Sequence, residues 1–282
     1  MSVTAFSTRA GNGRQSLRTV RTIPMIALKL LRVPPIPGLR HPAKPHREMV
    51  RPASIWAPAP PGSSVGLTIP YLREVPEPPR RLLLLRHGES TWNAAGRWQG
   101  QADPPLSPLG EEQARDAARR LVSGQFSRVV SSNLRRALQT AEILAEALGL
   151  PVEVDPDLRE IDVGEWQGLT RAEINARAPG ALADWSEGRS ESTPGGESRL
   201  HLTDRARAAL VRAAAASSPG DRVLLVSHGA LIRNLDRALS LVPHGIGNLA
   251  GRWYEVAGDG SLAPAEEVSL ADPEDETLSP TP

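Results

Sequence analysis

Cysteine is absent from the 282-residue sequence, which excludes disulfide frameworks, thiolate zinc sites and thiol nucleophiles. Lysine is almost absent too: only Lys29 and Lys44 stand among 33 basic residues. With so much Ala, Gly and Pro, that bias fits base composition better than a chemical role, so arginine content alone carries no functional weight. Aromatics make up 4% of the chain. No run of 18 apolar residues occurs, so no membrane-spanning helix is expected. A reducing cytoplasm is the default setting for a chain without thiols.

Acidic residues are the next scarcity, and a local one. Residues 1 to 79 hold 3 acids against 11 Arg or Lys, and 14 of the 27 prolines. Prolines 34, 35, 37, 42 and 45, then 58, 60 and 61, deny this stretch regular hydrogen-bonded structure. Such a composition buries too little apolar surface to offset backbone ordering. The segment therefore reads as a disordered tail, much of it removed if synthesis starts at Met49 or later. A basic arm for nucleic acid or anionic lipid, or an organellar presequence, is the competing reading. Residues 272 to 282, with Pro273, Pro280 and Pro282, read as a second tail.

What is present begins at Arg80. Leu82 to Leu85 is an apolar run of the length of a strand buried on both faces. Ser107-Pro108 opens a helix as N-cap and first-turn proline. Val129-Val130 is a second strand, and Leu134 to Leu148 a helix stopped by Gly149 and Pro151. Thr170 and Glu173 form a capping box. Leu202 to Ala216 is helical, Val223 to Val226 is a third strand, and Ala230 to Leu241 another helix. Trp253 to Val256 is a candidate last strand. Alternating strands and helices predict an α/β domain over residues 80 to 271, with a mainly parallel central sheet and helices on both faces.

In such sheets ligands bind beyond the carboxyl ends of the strands. Those ends carry Arg86-His87-Gly88-Glu89, Ser131-Ser132-Asn133-Leu134-Arg135-Arg136-Ala137, and Ser227-His228-Gly229. Cations converging with imidazoles suit an anion, and guanidinium forks match phosphate oxygens. One Arg-His-Gly triplet is a weak signal, since a lone strand-end histidine is more often structural. A second His-Gly at another strand end strengthens it. Arg135 and Arg136 point about 100° apart on a helix, so one of them faces solvent. Gly164-Glu165-Trp166-Gln167-Gly168 also reads as an aromatic-anchored loop.

Leu85-Arg86-His87-Gly88-Glu89-Ser90 with Trp92-Asn93 resembles the signature of the histidine phosphatase superfamily, the phosphoglycerate mutase-like proteins. The likeness continues through Gly96-Arg97-Trp98-Gln99-Gly100, Pro105-Leu106-Ser107 and Gly110. It includes Ser131 to Ala137 with Thr140-Ala141, then Leu158-Arg159-Glu160, Gly164 to Gly168, Gly195-Gly196-Glu197-Ser198 and Ser227-His228-Gly229. It covers residues 80 to about 256 and leaves residues 1 to 79 unexplained. The resemblance implies a phosphoglycerate mutase-like fold and His87 as nucleophile and phosphohistidine carrier. It implies Arg86, Asn93, Arg136 and His228 as phosphate-binding residues and Glu160 as general acid. In the family's motif the pocket arginine directly precedes alanine, which selects Arg136 over Arg135.

The implied activity is hydrolysis of a phosphomonoester, a small phosphorylated metabolite of the sugar or glycerate phosphate type. Neither a metal nor a cofactor is expected, and no His/carboxylate cluster shows metal-ligand spacing. True mutases resemble this chain but carry a longer insertion between the acid and the second histidine. Here Glu160 and His228 stand 68 residues apart, which favours a phosphatase over the mutase-type transferase. Within the family, Asp157 to Ala178, Gly195 to Arg199 and Gly245 to Asn248 resemble the actinobacterial glucosyl-3-phosphoglycerate phosphatases. A non-catalytic phospho-ligand module with a basic nucleic-acid arm is the alternative of another class, and intact His87 and Glu160 argue against it. The expected partner is a small phosphate ester, with no membrane and no nucleic acid; a homodimer is left open.

Overall fold

The computed structural model describes residues 77–271; both expected tails, apart from residues 77 to 79, lie outside the described residues. Six strands form one sheet: β1 (Arg80–Arg86), β2 (Arg128–Ser131), β3 (Val152–Val154), β4 (Arg222–Ser227), β5 (Ala250–Val256) and β6 (Leu262–Ser269). Their order is β3-β2-β4-β1-β5-β6, parallel from β3 to β1, with β5 antiparallel to both its neighbours. The helices are α1 (Thr91–Ala94), α2 (Pro108–Leu121), α3 (Arg135–Leu148), α4 (Arg171–Arg177), α5 (Ala181–Ser186), α6 (Arg199–Ala215) and α7 (Gly229–Ala238). No described helix is long and apolar enough to cross a membrane.

Successive side chains on β1 point to opposite faces, and each face has its own cover. Leu82 and Leu84 join Leu210 of α6 and Leu231 and Leu235 of α7. Leu83 and Leu85 join Ala117 and Leu121 of α2 and Ala141 and Leu144 of α3. A strand buried on both sides has no use for alternation, hence the unbroken leucine run.

The helix signals act where they were read. Ser107 Oγ accepts from Gly110 N with Pro108 in the first turn, Thr170 and Glu173 close their capping box, and Gly149 ends α3 at φ 67°. Element ends shift by one to three residues. Helix α6 starts at Arg199 because Ser198 caps it, accepting from His201 N. Helix α7 spans Gly229 to Ala238 and stops short of Leu241. The strand expected at Trp253 to Val256 begins at Ala250 and is not the last. It pairs with β6, an edge strand carrying Pro264 and two glutamates, where proline is tolerated and apolar patterning is weak. Strand β3, three residues long, was below the length at which a pattern is legible.

Candidate active site

Register builds the site. Parallel pairing aligns Arg86 with Ser227 across β1 and β4, so the next residue of each strand, His87 and His228, emerges at the same edge. Their ring centroids lie 5.1 Å apart at 62°. On the other side of β4, β2 aligns Ser131 with Val226. That brings up Ser132, whose Oγ stands 2.9 Å from His228 Nε2 and accepts from Leu134 N at the start of α3. One turn on, Arg136 is fully buried while Arg135 is exposed, as adjacent helix positions require.

The imidazole of His87 is held in one tautomer. Nδ1 lies 2.6 Å from the Gly88 carbonyl, an acceptor only, so the ring proton sits on Nδ1 and the lone pair on Nε2. Arg136 Nε donates to that Nε2 at 3.1 Å, while its two terminal nitrogens donate to the carbonyls of Ala102 and Gly100. Burial first, then the charges of Arg136 and Arg86, hold His87 well below the ordinary histidine range. His228 is lowered by burial and by Arg136 and His87. Both are neutral imidazoles at pH 7.

Arg86 and Arg136 are themselves lowered to about 10, by burial against the opposing pull of Glu160. Both remain cations at neutral pH. Arg86 anchors one terminal nitrogen on the Ile246 carbonyl at 2.6 Å, but its Nε–H is buried without a partner, and so is His228 Nδ1. Buried donors left unpaired cost about 1–3 kcal/mol each. The Arg86 Nε–H is such a donor in a residue that lines the cleft, an arrangement completed by an anion.

Glu160 lies across the site. Its Oε2 accepts from Ala230 N at 3.1 Å, and its Oε1 from Leu231 N and Ile161 N. The carboxylate thus sits on the N-terminus of α7, where the helix dipole favours negative charge. Asn93 is buried in α1, with Oδ1 accepting from Ser90 N, which leaves its amide nitrogen as the free donor. Arg86, His87, Asn93, Arg136 and Glu160 line one small cleft of about 270 Å³ including its mouth. His228, fully buried, is not among the residues that line it, although its ring packs edge-on against that of His87.

Three further residues line the same cleft: Gln99, Gly100 and Gly229. Gln99 and Gly100 lie inside a motif read from the sequence, yet nothing in the residue types marked them as pocket walls. The close carboxylates Glu89, Asp162 and Glu165 are elsewhere. Glu89 accepts from Ser107 Oγ, Asp162 from Gly164 N, and Glu165 is exposed. The glycine after His87 makes room for a neighbouring stretch of chain. A Cβ on Gly88 would meet the Gly110 carbonyl at 2.6 Å, and one on Gly110 would meet Glu89 O at 1.9 Å. The two glycines let the start of α2 press against the loop that carries His87.

A mixed sheet with two strand-end histidines, two buried arginines and a facing carboxylate defines a phosphoryl-handling enzyme class. The chain belongs to the histidine phosphatase superfamily (branch 1), whose profile matches residues 82–250. It is 43% identical over 193 residues to the glucosyl-3-phosphoglycerate phosphatase of Mycobacterium tuberculosis, covering 64% of this chain and 86% of that one. It is 40% identical over 150 residues to a probable phosphoglycerate mutase GpmB of Proteus mirabilis, covering 53% and 69%. Among solved structures, the mycobacterial glucosyl-3-phosphoglycerate phosphatase with VO3 superposes at a TM-score of 0.62 and 41% identity, covering 68% of this chain and all of that one.

Proposed function

We propose that this protein hydrolyses a small phosphomonoester of the sugar or glycerate phosphate type through a phosphohistidine on His87. One observation carries the reading: His87 Nε2 accepts from Arg136 Nε in a cleft that Arg86 also lines with a buried, unpartnered Nε–H. In the first step Nε2 forms a bond to phosphorus as the ester P–O bond breaks. Arg86, Arg136, His228 and the Asn93 amide take the phosphoryl oxygens, and Glu160 gives a proton to the departing oxygen. In the second step water attacks phosphorus, the P–N bond breaks, and Glu160 accepts the proton of water.

Positioning and fixed charge supply the catalysis. The span between Glu160 and His228 is filled by α4, α5 and α6, with no long insertion to exclude water from the phosphoenzyme, which supports hydrolysis over return to a bound acceptor. The mycobacterial relatives support a glucosyl-3-phosphoglycerate type of substrate. The proposed compartment is the cytoplasm, which cell fractionation tests.

The decisive experiment incubates the protein with labelled substrate and quenches in alkali. An acid-labile, alkali-stable phosphoprotein is expected, with the label on His87, and none from a folded His87→Ala variant. An acid-stable adduct, or label on a serine or aspartate, would remove histidine catalysis.

A further inference from the structure

Residues 245 to 249, between α7 and β5, do not line the cleft, yet they grip the chain at His87 from three points. Arg86 Nη1 donates to Ile246 O at 2.6 Å, Leu249 N to Arg86 O at 3.2 Å, and Asn248 Nδ2 to His87 O at 2.9 Å. The loop is itself fixed. Ile246 is buried in the core on one face of the sheet and Leu249 in the core on the other. Leu249 takes left-handed backbone at φ 53°, which an L side chain adopts only where packing dictates it.

The bond from Asn248 is one half of a pair. His87 stands one residue past the last paired position of β1, and its carbonyl belongs to the same peptide as the Gly88 N–H. That N–H donates to Thr140 Oγ1 of α3 at 3.1 Å, while the Thr140 hydroxyl donates to Arg136 O at 2.7 Å. One planar peptide is thus held at its oxygen by Asn248 and at its nitrogen by Thr140. Glycine is the residue with most backbone freedom to lose. With this plane fixed, only ψ of Gly88 is left to direct the Gly88 carbonyl, which stands 2.6 Å from His87 Nδ1. The direction matters most during reaction. As Nε2 bonds to phosphorus and the ester P–O bond breaks, the ring keeps its Nδ1 proton and becomes a cation. A carbonyl already aimed at that N–H stabilises charge that the resting imidazole lacks.

We propose that Asn248 and Thr140 are positioning residues for the nucleophile: they clamp the His87–Gly88 peptide so that the Gly88 carbonyl meets the positive Nδ1–H of the phosphohistidine. The proposal rests on the phosphatase reading for the phosphohistidine itself. Neither side chain lines the cleft, so their loss slows turnover and spares phosphate binding.

A spectroscopic signature separates the clamp from the catalytic reading. The full chain, isotopically labelled at its histidine nitrogens, gives an Nδ1–H proton resonance for His87 without substrate, assigned by its absence in His87→Asn. Asn248→Ala removes the donor at a half-buried loop position without adding charge. Its Nδ1–H resonance is expected to move upfield. In the same variant kcat should fall about 10- to 100-fold on p-nitrophenyl phosphate and on an alkyl phosphate alike, with inhibition by inorganic phosphate kept within about threefold. Thr140→Val should do the same, and Thr140→Ser, which keeps the oxygen, should recover most of the loss. A resonance unmoved in Asn248→Ala, or kcat unmoved beside a shifted resonance, overturns the proposal; so does phosphate binding that weakens in step with kcat. A shifted resonance in a chain whose unsubstituted form hydrolyses neither ester supports the clamp and counts against the phosphatase reading alone.

Discussion

An imidazole offers a lone pair from one nitrogen only when the other holds the proton, and the Gly88 carbonyl makes that assignment for His87. Glu160 lines the same cleft, and the proposed mechanism gives it the complementary task. Glutamine copies its shape without a proton to give. Glu160→Gln should therefore slow an alkyl phosphate by about 10²- to 10⁴-fold and p-nitrophenyl phosphate far less, since nitrophenolate departs unaided. Because the same residue serves the water step, a pre-steady-state burst of nitrophenol is expected with that variant. Equal slowing of both substrates would shift the acid role to Glu89, Asp162 or Glu165. Each of these residues is near a motif, but only Glu160 lines the cleft.

At the scale of elements, α6 does more than cover the sheet. It sends Arg205 under the loop that carries Glu160, where Nη1 donates to the carbonyls of Asp157 and Arg159 and Nη2 to that of Glu160. Glu197, in the loop before α6, grips the same guanidinium with both oxygens. Burial pushes the Glu197 carboxyl up, and the Arg205 bond and charge pull it below the usual range. A planar fork satisfying three carbonyls and a carboxylate has no lysine equivalent. Arg205→Lys should retain the fold and lose roughly tenfold in kcat on an alkyl phosphate, with a smaller loss on p-nitrophenyl phosphate. That leaving-group dependence marks a residue that positions Glu160. Equal losses with a lowered Tm would mark one that only holds the loop.

For the whole molecule, two neutral imidazoles buried beneath one cleft link stability to acid. The folded values of His87 and His228 lie below the unfolded value of about 6.5. The unfolded chain therefore binds protons that the native state refuses. Stability is full above pH 6.5 and falls as pH drops from there toward the folded values, by up to about 1.4 kcal/mol per pH unit for each histidine. Urea denaturation at pH 7.0 and 5.5 should reveal the loss, and a His87→Asn, His228→Asn double variant should flatten it. A slope unchanged in that variant would assign the acid sensitivity to other groups. Deleting residues 1 to 79 should leave kcat and KM within a few-fold, because none of the sequence motifs lies there and, among the described residues, those lining the clefts run from Arg86 to Gly245. A folded but inactive truncation would move the domain boundary.

Which residues meet at the site was legible in the chain because the strands that carry them follow patterns that local physics imposes. A leucine run buried on both faces ends at Arg86-His87, and valines and leucines of β4 end at Ser227-His228. Helix starts were legible for the same reason, since Ser107 and Thr170 satisfy amides only a few residues away. Strand β6 and the bounds of α6 and α7 were less so: an edge strand needs little apolar patterning, and helix ends depend on the packing around them. What only the tertiary structure decided was register and approach. No sequence signal states that Arg86 pairs with Ser227, that Gly88 meets Gly110, or that Arg205 reaches the carbonyl of Glu160 across 45 residues of chain. Nor does spacing bring Thr140 and Asn248 to the two ends of one peptide. Those contacts join segments whose local patterns are independent, so their energies exist only once the sheet has closed around them.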